Sequence, residues 1–242
     1  NNLVSSLGYN PYGVDQPVNK QGDLVASPAW NTDWKKTIIN ENAYKVQHGV
    51  SVSGGGEKTS FYFGSNYLRE EGQVKTTYFE RVATRLKVDT QVKEFIETGL
   101  NISYTSSKQN SPNQSGSAFS NSIQWIYSLP SYYPIYRRNN NGELITQNGK
   151  DFILDYGGNN LQTVNGVRPA FSGENAYGAI INNEILNRNN YISLNGYLKF
   201  ELLKKLNFNS QFAYENATVD NFRFDNNQFG AAASVDGRVS QS

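Results

Sequence analysis

The chain has 242 residues, with 21 Gly, 7 Pro, no Cys and no Met, and its 22 Lys and Arg balance 21 Asp and Glu to a net charge of +1. Lacking cysteine, it has no disulfide scaffold, thiolate metal site or cysteine nucleophile, and its single histidine, His48, leaves little scope for imidazole acid–base or metal chemistry. A near-neutral chain has no global field to attract nucleic acid or an anionic membrane surface, and no window reaches the roughly 18 to 20 consecutive apolar residues of a transmembrane helix.

Alternation with period two carries most of the structural signal. From Tyr44, the residues Tyr44, Val46, His48, Val50 and Val52 fall on one side of an extended chain, and Lys45, Gln47, Gly49, Ser51 and Ser53 on the other. The run Gly54, Gly55, Gly56 predicts a tight reversal in which glycine supplies positive φ. The returning strand sets Phe61, Phe63, Ser65 and Tyr67 over a mixed face of Tyr62, Gly64, Asn66 and Leu68. After a charged link from Arg69 to Gly72, a third strand opposes Val82, Thr84, Leu86 and Val88 to Ala83, Arg85, Lys87 and Asp89. A turn near Gln91 to Glu94 leads to a fourth, with Ile96, Thr98, Leu100, Ile102 and Tyr104 against Glu97, Gly99, Asn101, Ser103 and Thr105.

Between Ser106 and Asn187 the alternation stops. There Ala118 to Leu129 predicts a short helix ahead of Pro130, with Ile123, Ile126, Tyr127 and Leu129 near one face, and Asn-Gly pairs at Asn141, Asn148 and Asn165 predict turns. The pattern resumes as Ile192, Leu194, Gly196, Leu198, Phe200 and Leu202 against Ser193, Asn195, Tyr197, Lys199 and Glu201. After a turn at Lys204 and Lys205, it returns as Leu206, Phe208, Ser210, Phe212 and Tyr214 against Asn207, Asn209, Gln211, Ala213 and Glu215.

About six strands of roughly ten residues are longer than the five to six typical of soluble sheets, and they match what a tilted strand needs to cross a bilayer. Tyr44, Phe61, Tyr104 and Tyr214 lie near strand ends, where an interfacial aromatic girdle forms, and short turns alternate with longer connections. The mean hydropathy of −0.62 is no objection, because barrel strands alternate. The expected fold is therefore all-β, an antiparallel transmembrane β-barrel segment. A soluble secreted β-sandwich or carbohydrate-binding module produces the same alternation with its apolar face turned inward, and it stands as the alternative. About six strands cannot close a membrane barrel. With no initiator Met and no signal-peptide pattern, the expectation is a piece of something longer.

Several segments together resemble the SusC/RagA family of TonB-linked outer-membrane transporters. They are Thr32, Asp33, Trp34 at the expected head of the first strand; SVSGGGEKTSFYFGSNYLREEG from Ser51 to Gly72; FERVATRLKVDTQV from Phe79 to Val92; LNISYTSS from Leu100 to Ser107; PSYYPIY from Pro130 to Tyr136; and the Arg188 to Glu215 hairpin. The resemblance implies about six long strands of a plugged, 22-stranded barrel in the outer membrane of a Gram-negative, Bacteroidetes-type bacterium. It also implies import of oligosaccharides or peptides, a SusD-like surface lipoprotein as lid, and TonB acting through a part of the protein absent from this chain. Within that frame 1–42 is an extracellular loop leading into the barrel, 43–105 barrel strands with short periplasmic turns, 106–187 a long extracellular loop, 188–219 a barrel hairpin, and 220–242 the start of the next extracellular loop.

No catalysis and no cofactor are expected. The candidate ligand or partner contacts are Trp125, Tyr132, Tyr133, Tyr136, Arg137 and Arg138 in the long loop, where aromatic faces suit stacking on sugars or peptides in an external cavity. The competing reading is that these aromatics pack the loop on itself. Arg85, Lys87, Asp89, Glu97, Lys199, Glu201 and Glu215 are expected to face the lumen, because a cation facing lipid near the midplane costs roughly 2–4 kcal/mol. His48 falls on the apolar face, as a packed or interfacial side chain. Glu70 with Glu71, and Asp151 with Asp155, lack the ligand density of a calcium loop, and the glycine run at Gly54 lacks phosphate-cradle spacing.

Overall fold

The computed structural model describes residues 9, 11–14, 16–112, 121–139, 142–157, 170–203, 206–228, 230 and 232–242. Among them one antiparallel sheet dominates. Its strands are β1 (Lys45–Gly55), β2 (Thr59–Glu71), β3 (Tyr78–Lys93), β4 (Ile96–Asn110), β7 (Glu184–Leu203), β8 (Leu206–Asp225) and the short β9 (Arg238–Gln241), paired in that order. A separate two-residue hairpin joins β5 (Thr146–Gln147) to β6 (Asp151–Phe152).

Register aligns the expected faces across the sheet. Val52 lies opposite Phe63, Phe63 opposite Leu86, Leu86 opposite Ile102, Ile102 opposite Leu194, and Leu194 opposite Tyr214. His48 sits on this same face, opposite Tyr67. Because the side-chain period is two, a slip of one residue in any pair would move that strand's whole apolar set to the other face. Among the described residues no second layer covers the apolar face: Val50 is 65% exposed, Leu100 41% and Phe212 58%. A sandwich would bury these side chains between its two sheets, so the alternative fold is set aside. Among the described residues, no helix is long and apolar enough to cross a membrane.

The strands are longer than the alternation. β4 runs on to Asn110 and β7 begins at Glu184, with Asn110 paired to Leu186, and β8 continues to Asp225. β2 likewise absorbs Arg69 to Glu71, so its link to β3 is Gly72 to Thr77. Period-two hydrophobicity marks only the stretch that is wet on one side. Where both faces are polar, as at Ser106 to Gln109 and Asn187 to Asn190, pairing continues without that signal.

The reversal after β1 closes with the Gly56 amide donating to the Thr59 carbonyl at 2.8 Å. None of Gly54, Gly55 or Gly56 adopts positive φ. The glycine requirement is one of space instead, since a Cβ on Gly55 would stand 2.8 Å from the Thr59 carbonyl oxygen. Positive φ serves the β5–β6 turn, at Asn148 (53°) and Gly149 (71°), where an Asn-Gly pair is the favoured choice. The turn expectations at Asn141, Asn165, Lys204 and Lys205 fall outside the described residues.

The buried core lies beside the sheet in a lobe at the end carrying the long connection. It joins Trp34 and Ile38 of α1 (Trp34–Ile38), Trp125 and Leu129 at α2 (Ser122–Ser128), Ala176 and Ile180 of α3 (Ala176–Asn182), and Tyr9, Val74 and Tyr133. Thr32, Asp33 and Trp34 therefore head a helix and not the first strand: the Asp33 carboxylate accepts from the Lys36 amide at 2.9 Å as its N-cap. In α2 the buried face is Ser122, Trp125 and Leu129 with Ile126 beside it, whereas Ile123 is exposed and Tyr127 is 86% exposed.

Candidate functional site

Two surfaces carry organised polar chemistry: the polar face of the sheet and a cleft in the lobe. On the sheet, register places all seven charged candidates on one face. Arg85, Ser103, Ser193 and Glu215 form one row across four strands; Lys87, Asn101 and Asn195 form the next; then Asp89, Gly99 and Tyr197; then Glu97 with Lys199; and Glu201 lies beyond. Four of the seven charges pair locally. Lys87 Nζ meets Asp89 at 2.8 Å, Lys199 Nζ meets Glu97 at 3.2 Å, and Arg85 Nε donates to Asn101 Oδ1 at 2.8 Å.

Tyr197 organises this face, and the sequence reading missed it. Its hydroxyl lies 2.9 Å from Asp89 and 2.8 Å from Glu97, while its ring covers Gly99 on the neighbouring strand. A glycine in mid-strand is the available sequence signal, but its partner lies across the long connection and only the β4–β7 register reveals it.

The lobe is built on its helix caps. Asn175, 2% exposed, accepts from the Gly178 amide at 2.8 Å as the α3 N-cap and donates to the carbonyls of Ile135 (2.9 Å) and Asp155 (2.8 Å). Buried Asp155 accepts from Tyr9 and from the Gly157 amide. The Trp30 and Trp34 indoles donate to the carbonyls of Tyr132 (2.9 Å) and Pro130 (3.1 Å), clamping the 130–132 segment against the chain that leads into β1. Lobe and sheet are tied through Thr76, whose hydroxyl donates to the Ile180 carbonyl and whose own carbonyl accepts from Asn110 Nδ2.

Trp125 and Tyr133, each 1% exposed, are core residues of this lobe. Tyr132 is half-buried, edge-on to Tyr133. Arg137 lies near Tyr156, whose phenol burial pushes up to about 12 against the lowering effect of that guanidinium. Tyr136 and Arg138 line a cleft of about 490 Å³ together with Trp30, Asp33, Lys36, Lys75 and Tyr177. Of these the sequence reading singled out only Tyr136 and Arg138, because Lys36, Lys75 and Tyr177 come from three separate segments. Arg138 lies over the Trp30 ring at 5.4 Å and donates from Nη1 to the Gly142 carbonyl at 2.6 Å. Burial draws its guanidinium below the ordinary arginine value and raises the Tyr136 phenol, which Tyr177 also raises. Among the described residues no group of three or more His, Asp or Glu is arranged to hold a metal ion.

A sheet apolar on one face and polar on the other, with long strands and, among the described residues, no second layer, is a section of transmembrane β-barrel wall. No family model matches the chain. In sequence it is similar to TonB-dependent receptor P39 of Formosa agariphila, 37% identical over 83 residues, covering 34% of the chain and 8% of that protein. TonB-dependent receptor P26 of the same organism is 31% identical over 75 residues, covering 31% and 8%. In fold it is similar to the structure of the RagAB peptide transporter, with a TM-score of 0.56 and 22% identity, covering 84% of this chain and 21% of that one. The same importer in its closed-closed state gives 0.56, 19%, 83% and 21%. The chain thus resembles a stretch of a SusC/RagA-like, TonB-dependent transporter barrel, and it spans about a tenth or less of the curated relatives it matches.

Proposed function

We propose that this chain forms part of the wall of a TonB-driven importer in the outer membrane of a Bacteroidetes-type bacterium, taking up oligosaccharides or peptides beneath a SusD-like lipoprotein lid. The register-aligned apolar face carries this reading: a continuous oily band over six strands is stable against acyl chains and unstable in water. The seven charges opposite it, from Arg85 to Glu215, then face the lumen or the plug. The lobe, with the connection between β4 and β7, lies on the external side, and the turns after β1, β3 and β7 lie on the periplasmic side. The chain's own side chains supply shape and charge, with no catalytic role.

Single cysteines test the wall in the full-length protein, since this stretch has none of its own. In cells, cysteine at Val50, Leu86 or Phe212 should react with a lipid-soluble maleimide and resist a membrane-impermeant one. Cysteine at Lys87 or Asn195 should show the reverse, and an inverted pattern would overturn the assignment. Import is tested separately: deleting the parent gene should abolish energised uptake of its oligosaccharide or peptide, and uptake that survives collapse of the proton gradient would exclude TonB drive.

A further inference from the structure

We propose that the lobe cleft lined by Lys36, Lys75 and Arg138 captures a carboxylate carried by the cargo. The inference deepens the import reading above and rests on its outward placement of the lobe. The cleft holds three cations from three separate segments, α1, the β2–β3 link and the 130–138 stretch. Its one acidic lining residue among the described residues, Asp33, is engaged as the α1 cap. Among the described residues no carboxylate pairs with Lys36, Lys75 or Arg138, whereas both lysines of the sheet's charged rows, Lys87 and Lys199, meet a carboxylate close by.

The two half-buried cations are held in place by contacts that leave their charge unanswered. Lys75 lies 6.0 Å from the Tyr177 ring centre and donates to the Lys36 carbonyl at 3.1 Å. Arg138 lies over Trp30, and its Nε is buried with no hydrogen-bond partner among the described residues. Guanidinium stays charged in proteins, so a desolvated donor without an acceptor favours an incoming anion, and charge-assisted hydrogen bonds are the strong ones. About 490 Å³ accommodates a residue-sized group. Because the aromatic faces of Trp30 and Tyr177 are already covered by cations, the cleft selects by charge and not by stacking. The carboxylate can be an acidic peptide side chain or a uronic acid.

The test uses the full-length protein in detergent and calorimetry with four probes: hexa-aspartate, hexa-asparagine, tetragalacturonate and maltotetraose. The acidic member of at least one pair should bind more tightly, and which pair responds identifies the carboxylate's source. Binding should weaken as salt rises from about 50 to 300 mM. R138Q and K75Q should each weaken it about fivefold or more, K36Q supplies an exposed replacement should either misfold, and K150Q on the β5–β6 turn should leave it unchanged. Equal binding of acidic and neutral probes, no binding of either acidic probe, or unchanged affinity in all three cleft variants would overturn the inference. Each of these outcomes leaves the cysteine-labelling pattern of the wall intact, so failure of the cleft and failure of the wall are told apart.

Discussion

At the scale of single residues, the polar face depends on one side chain fitting over the absence of another. Tyr197 reaches both Asp89 and Glu97 because Gly99 leaves room beneath its ring; a Cβ there would overlap the ring and the Asp89 carboxylate. G99V should therefore expel Tyr197 and destabilise the wall by about 1–3 kcal/mol, read as a lower unfolding temperature in a gel assay of heat-induced barrel opening. G196A is the matched control, since its added Cβ would meet nothing closer than 3.6 Å and should change little. In the lobe, N175A removes a cap and two buried side-chain bonds together and should cost about 2–4 kcal/mol locally. Rapid proteolytic cleavage within the 121–183 region, with the sheet still protected, is the expected readout.

At the scale of elements, legibility followed whichever physical signal each element carries. The six long strands were readable because one face of each is apolar, and their polar extensions were not, because pairing beyond the apolar band leaves no periodic trace. For α2, helical spacing grouped Ile123, Ile126, Tyr127 and Leu129 on one face; the fold buries Leu129 with Ile126 beside it, but turns Trp125 inward against α1 and α3 in place of Ile123 and Tyr127. The winning face was set by partners that a single-helix pattern cannot contain. The cleft was legible only in part for the same reason. The lobe also has a readable pH limit. Tyr156 ordinarily ionises near pH 10 and is held protonated up to about 12 in the folded lobe. Above pH 10 the unfolded chain loses a proton that the folded one keeps, so lobe stability should be flat below pH 10 and fall between 10 and 12. Y156F should remove that decline, as followed by hydrogen exchange of β5, β6 and α3.

At the scale of the molecule, the open sheet derives its stability from lipid on one side and water or polar protein on the other. L86R should cost roughly 2–4 kcal/mol and reduce the assembled protein in the membrane, whereas R85L, one residue along on the opposite face, should be tolerated far better. Comparable losses for both would mean that the two faces are not solvated differently. Both edges of the sheet leave ladder positions free among the described residues: β1 pairs only with β2, and β9 with Ser242 covers β8 only from Asn221 to Asp225. Free edges of this length require neighbouring strands.

The order of strands has a consequence for how the wall is made. From β1 to β8 every neighbour in the sheet is also the next long strand along the chain, so hairpins can be added one after another as the polypeptide is delivered, with a single interruption between β4 and β7. Closing that gap as a loose coil would carry an entropic cost on the order of 4 kcal/mol. The lobe shortens the excursion by folding on itself, with Asn110 and Ile185 tied together at its base. A weakened lobe should therefore delay β7 in finding β4, slowing insertion even where the finished wall is unaltered.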